Sequence, residues 1–102
     1  PSSANREDHV SMGSISARKL DQVVTNASNS LAIELLVAAE GVEQRKPLKP
    51  SRGVLAAHEL IRQHVAPLTD DRALYLDMTA ARQLIDDDSL RGSVETAIGT
   101  LA

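Results

Sequence analysis

An all-α fold follows from three features of the sequence. Apolar residues recur at alternating steps of three and four along the first forty positions, which is helical spacing. No segment shows the strict apolar–polar alternation of a half-buried strand, and there is no internal repeat or low-complexity tract. The core must also be aliphatic, because Tyr75 is the single aromatic residue in 102 and Phe and Trp are absent. Such a length bounds the chain to one domain or a piece of one, burying about 60–70% of its unfolded surface.

The first element predicted is a long helix over 10–42. Leu20, Val24, Ala27, Leu31, Leu35, Ala38 and Val42 form one apolar stripe, and Met12, Ile15, Val23, Ile33, Leu36 and Val37 form a second. A helix apolar on two sides belongs between several neighbours. Its middle reads Thr25-Asn26-Ala27-Ser28-Asn29-Ser30, residues that prefer caps and turns. A break into two helices is one reading. Continuity is favoured, since the register passes from Ala27 to Leu31 without slipping, and small side chains permit close helix packing. Gly41 is the expected stop.

A proline-containing linker over 43–52 comes next, with Lys46 and Lys49 held extended by the prolines that follow them. Short helices occupy 53–102. Ser51 is placed to cap the first of these, which runs to about Val65. Its core face is Leu55, Leu60 and Ile61, with Ala56, Ala57 and His64 near it, and Pro67 marks its end. Met78, Ala81, Leu84 and Ile85 define the next helix, with Asp77 as its candidate cap. Leu90, Val94, Ala97, Ile98 and Leu101 define the last, starting at Asp88 or Ser89. Residues 1–9 read as a polar, active-site-like loop leading into the long helix. The start at Pro1, with no initiator Met and no signal peptide, predicts a fragment or processed product.

Composition excludes several functions. The absence of cysteine removes disulfides, thiolate zinc sites and a cysteine nucleophile. A net charge of −3 and the lack of stacking aromatics argue against nucleic-acid binding. The densest apolar stretch, Leu31 to Ala39, carries Glu34 and is far short of the ~20 residues a membrane span needs. His58 and His64 are six residues apart, about 240° around a helix, so they diverge and no metal site is expected. Asp86-Asp87-Asp88 lacks the alternating ligand spacing of a calcium loop and reads as a solvated, capping turn. No glycine-rich phosphate loop and no Gly-x-Ser-x-Gly elbow is present.

The most concentrated polar segment is Asn5-Arg6-Glu7-Asp8-His9, followed by Val10 and Ser11. Acids at a helix N-terminus complement the macrodipole, which accounts for Glu7 and Asp8 structurally. The same place also suits a polar active-site wall, and the residues alone leave both readings open, with capping the favoured one.

The stretch Ser3-Ala4-Asn5-Arg6-Glu7-Asp8-His9-Val10-Ser11-Met12 resembles the Ser-Ala-Asn-Gln-Glu-Asp-His-Val-Ser-Met segment of histidine ammonia-lyases. The likeness continues through Ala17-Arg18-Lys19-Leu20, Leu31-Ala32-Ile33-Glu34-Leu35-Leu36, Pro47-Leu48-Lys49-Pro50-Ser51 and Asp70-Asp71-Arg72. It covers nearly the whole chain, as the C-terminal fifth or so of such an enzyme. Phenylalanine and tyrosine ammonia-lyases typically carry Asn-Gln-Asp here, without the Glu-Asp-His run.

The resemblance implies a piece of a cytoplasmic, all-helical homotetramer of histidine catabolism. The parent converts L-histidine to trans-urocanate and ammonia with a methylidene-imidazolone electrophile made from its own Ala-Ser-Gly. That tripeptide is absent from this chain; the nearest, Ala27-Ser28-Asn29, lacks the Gly. Glu7 matches the family glutamate near the substrate imidazole, a catalytic and substrate-binding position. Arg6, a second substrate-binding candidate, stands where the family usually has Gln. It brings a permanent charge and no acceptor, which bears on substrate preference. The implied partners are the rest of the parent chain, further copies of it and L-histidine. No nucleic acid, membrane or metal is implied. The fragment alone is expected to be inactive. The alternatives are a non-catalytic helical self-association module, or a related aromatic amino acid lyase or aminomutase with altered substrate.

Overall fold

A computed structural model describes residues 2–69 and 71–101, with side chains described from residue 13 onward. The described residues form four helices and no strand: α1 (Ser2–Gln44), α2 (Arg52–His64), α3 (Leu74–Asp86) and α4 (Ser89–Ile98). At ~1.5 Å per residue the 43 residues of α1 span about 65 Å, which accounts for the 68 Å long dimension of the molecule.

Helix α1 is continuous through Thr25–Ser30, and α3 shows why. Asn29 Oδ1 accepts from Arg82 Nη1 at 3.3 Å, and Ser28 Oγ donates to Asp86 Oδ1 at 3.2 Å. These polar side chains are spent on a neighbouring helix instead of on their own backbone, so they do not unwind α1.

Both ends of α1 differ from the sequence expectation. The helix begins at Ser2, so the backbone of 2–9 is helical and not a loop. No glycine or proline stands between residues 2 and 12, and Ala4, Arg6 and Glu7 are good helix formers, so nothing local stops the helix short. At the other end it runs through Gly41 to Gln44. A Cβ at Gly41 would meet nothing within 4 Å, and one interior glycine costs only about 1 kcal/mol relative to alanine. The stop is the turn at 45–47, where Arg45 N–H bonds Val42 C=O and Lys46 N–H bonds Glu43 C=O. Lys46, expected to be extended, lies inside this turn, and its bond to Pro47 is cis.

Neither predicted stripe of α1 is the face that packs. The covered residues are Ala32 and Ala39, fully or nearly buried, with Thr25, Ser28, Asn29, Leu35, Leu36, Val42 and Glu43 half-buried. The line they form is centred between the two stripes on small or polar residues, with Leu35 and Val42 at the edge of one stripe and Leu36 at the edge of the other. Small side chains let α3 approach closely there, and Ala81 and Leu84 of α3 are buried in return. Leu20, Val23, Val24, Leu31, Ile33 and Val37 stay exposed. Near the end of α1, Ala39 joins Ile61 and Val65 in a small core flanked by Leu35, Leu36 and Ala80.

The shorter helices follow the sequence with local corrections. Ser51 is the N-cap residue of α2, but it accepts through its carbonyl, from Leu55 N–H at 2.8 Å, and not through its side chain. In α2, Ile61 is buried and Leu55, Ala56, Ala57 and Leu60 are half-buried; His58 takes the interior place expected of His64, which is exposed. Helix α3 starts four residues early: Ala73, and not Asp77, is its N-cap residue, and Asp77 sits in the first turn, accepting from Arg72 Nε at 2.9 Å. Asp87 Oδ1 accepts from Ser89 N–H at 2.9 Å, so the aspartate run does serve the start of α4. Helix α4 ends at Ile98, before Leu101, with Gly99 at φ +95° supplying a conformation other residues rarely adopt.

Candidate functional site

Glu7 and Arg6 stand on the first turns of α1, and their side chains lie outside the described residues. The backbone places them on an arm: every residue from Gly13 to Val24 is exposed, so α2–α4 cover none of this stretch. Any wall that completes a site around Glu7 therefore belongs to another chain segment.

The densest polar cluster among the described residues is at the opposite end of α1. Arg62 of α2 donates from Nε to Glu43 Oε1 at 3.0 Å and from Nη2 to Glu40 Oε1 at 3.1 Å and to Ala39 C=O at 3.3 Å. Its Nη1 reaches Val65 C=O at 3.3 Å, and Glu40 Oε1 also accepts from Leu68 N–H at 3.0 Å. One guanidinium thus ties α1, α2 and the start of the following linker together. Arg72 continues the work with bonds to the carbonyls of Ala66 and Pro67 and a pair with Asp77. Neither Arg62 nor Glu40 nor Glu43 stands out in the sequence; the usable signal is the i, i+3 spacing of Glu40 and Glu43, which puts both acids on one face of α1.

Lys46, bonded to Glu43, is the main cause holding the Glu43 carboxyl below its ordinary 4.5, and Arg62 adds to it. The sign follows from linkage. A depressed folded-state value contributes stability that is present above the unfolded value and lost as pH falls through the folded one. Unfolding followed by circular dichroism should therefore show the α1–α2 junction weakening below about pH 4.5. Glu43→Gln should flatten that acid limb; an unchanged limb would remove Glu43 from the account.

His58 is buried beside this cluster, with Nε2 3.6 Å from Glu43 Oε1 and no hydrogen-bond partner. His64 is exposed on another face, its Nδ1 3.1 Å from Leu60 C=O. The two rings diverge as their spacing predicts, and among the described residues no group of three His, Cys, Asp or Glu could hold a metal ion.

An apolar groove of about 500 Å³ opens between α1, the linker and the start of α3, lined by Ile33, Leu36, Val37, Val65, Leu68, Leu74, Tyr75 and Met78. Its polar rim is already paired, Arg62 with Glu40 and Arg72 with Asp77. With its charged side chains paired to one another, the groove presents a mainly apolar surface. The fragment Ala27-Ser28-Asn29 is no source of an electrophile: it is continuous helix, lacks the glycine, and commits Ser28 and Asn29 to α3.

Comparison with known proteins settles the family. Residues 1–63 match the family model for aromatic amino acid lyase. The chain belongs to the aromatic amino acid lyase family. Within it, this chain is similar to histidine ammonia-lyase of Sorangium cellulosum, 62% identical over 101 residues, 99% of this chain and 20% of that protein. Histidine ammonia-lyases of Anaeromyxobacter dehalogenans and Myxococcus xanthus are 52% and 50% identical, covering 88% and 95% of this chain and 18% and 19% of theirs. The chain therefore spans about a fifth of the length of the curated relatives it matches. The family match ends within α2, whereas the likeness to the Sorangium lyase takes in α3 and α4 as well. No solved structure matches the chain.

Proposed function

We propose that this chain is the C-terminal segment of a histidine ammonia-lyase that converts L-histidine to trans-urocanate and ammonia in the cytoplasm. The observation that carries the reading is the identity of up to 62% to histidine ammonia-lyases over 101 residues, 99% of the chain, a span that takes in the Glu7-Asp8-His9 run. Glu7 is the residue assigned to the reaction. A carboxylate accepts a hydrogen bond from an imidazole N–H, which a phenyl ring cannot offer, and so favours histidine. Arg6 is assigned to the same substrate wall. The electrophile, a methylidene-imidazolone, comes from a segment outside this chain, since the one partly similar tripeptide here does not fit it.

The parent is read as a homotetramer, and the exposed arm of α1 supports cover by further helices, from the rest of the parent chain or from other copies. Leu20, Val23 and Val37 are each more than 60% exposed, a burden that packing against further helices removes. The same observation favours the second reading, a helical self-association module without catalysis. One pair of measurements separates them. The full-length protein should form urocanate, read by its ultraviolet absorbance, while the 102-residue chain alone should form none. A full-length protein that assembles in sedimentation but leaves histidine untouched would leave the module reading standing and remove the enzyme.

A further inference from the structure

Helix α1 is crossed at its middle by a closed ring of side-chain bonds. Arg82 Nη1 donates to Asn29 Oδ1 at 3.3 Å; Arg82 Nε donates to Asp86 Oδ2 at 3.2 Å; Ser28 Oγ donates to Asp86 Oδ1 at 3.2 Å. Ser28 and Asn29 are neighbours on α1, and Arg82 and Asp86 are one turn apart on α3. The pair on α3 holds itself in shape, so each member presents its remaining donor or acceptor to α1. Among the described residues no other side-chain hydrogen bond joins α1 to α3, and Leu35, Leu36 and Ala39 of α1 share an aliphatic core with Ala80 of α3. Aliphatic contact is non-directional and so specifies a register less sharply than a polar lock does.

We propose that Arg82 and Asp86, acting through Asn29 and Ser28, are positioning residues that set the axial register of α1 and with it the location of Glu7. This rests on the reading of Glu7 given above. From Asn29 to Glu7 is 22 residues of one helix, about 33 Å of rod with no interior proline. A rod of that kind transmits an axial shift without loss. A slip of one turn displaces Glu7 by about 5.4 Å, and misplacement by about 1 Å is enough to lower a rate by up to ~100-fold. The ring also explains why a segment poor in helix formers sits in mid-helix, in contact with a region beyond the reach of the family match.

The test is a double-mutant cycle in the full-length protein, with Glu7→Gln, Asn29→Ala and both together, reading kcat/KM for L-histidine and the melting temperature. Alanine is the better helix former, so the Asn29 change does not threaten the helix itself. Expected is a loss of about 5- to 10-fold for Asn29→Ala in the native background and no further loss in the Glu7→Gln background. Asn29→Asp, which keeps the acceptor for Arg82, should retain the rate. Arg82→Lys, which offers one point charge where two bonds are needed, should behave like Asn29→Ala. Equal losses in both backgrounds, or none in either, overturn the positioning role while the reading of Glu7 stands. If Glu7→Gln itself leaves histidine kinetics unchanged, the reading of Glu7 falls and the proposal falls with it.

Discussion

Glu7→Gln in the full-length protein is expected to lower kcat/KM for L-histidine by about 10- to 100-fold while leaving whatever turnover of L-phenylalanine it shows unchanged. The substitution keeps the length of the side chain and one carbonyl acceptor. It removes the negative charge, and charge-assisted hydrogen bonds are roughly twice as strong as neutral ones. The loss should therefore fall on the substrate whose ring carries an N–H. How it divides is informative. A contact made equally in the ground and transition states raises KM alone, whereas one made only in the transition state lowers kcat. Equal losses for both amino acids would place Glu7 in general support of the site and not in recognition of the imidazole. Unchanged kinetics for histidine would remove it from the site. Arg6→Gln, which restores the residue usual in the family, probes the neighbouring position in the same assay.

Which parts of this structure a reader of the sequence could find depends on the range of the forces involved. Periodicity is local and redundant, so the all-helical fold and the continuity of α1 through Ser28 and Asn29 were legible. So were the divergence of His58 and His64 and the capping role of the aspartate run, both matters of a few residues of geometry. Helix ends were less legible. Gly41 carries a stop signal that one turn of packing outweighs, since Val42 and Glu43 beyond it are engaged at the junction with α2. Asp77 looked like a cap and instead pairs with Arg72, because the helix starts three residues before it. The packed face of α1 was the least legible feature. Hydrophobicity points to Leu31 and Val24, but closeness of approach selects Ala32, Ala39, Ser28 and Asn29. The sequence offers Glu7 as a site residue by resemblance alone, and its side chain lies outside the described residues. Nothing in composition or spacing separates a catalytic Glu7 from one that complements a helix dipole.

The exposed apolar stripe of α1 gives the second large expectation, because its reading depends on what lies outside this chain. Leu84 of α3 is 4% exposed, so Leu84→Ala should destabilise by about 2–5 kcal/mol wherever it is measured. Leu20 is 64% exposed here, and its truncation would ordinarily fall within about 0.5 kcal/mol. If the arm of α1 is an interior helix of an assembled lyase, Leu20→Ala in the full-length protein should behave like Leu84→Ala instead. Both should lower the temperature of unfolding by several degrees, and Leu20→Ala alone should shift sedimentation toward smaller species. The comparison isolates one quantity, the apolar area of α1 covered by other segments. A full-length protein indifferent to Leu20→Ala in both melting and sedimentation would leave the arm in solvent. Glu7 would then stand on an uncovered helix, without the water-excluding wall that gives a carboxylate its discriminating power. Cover over the stripe and a role for Glu7 are in this sense a single claim, since the same rod carries both.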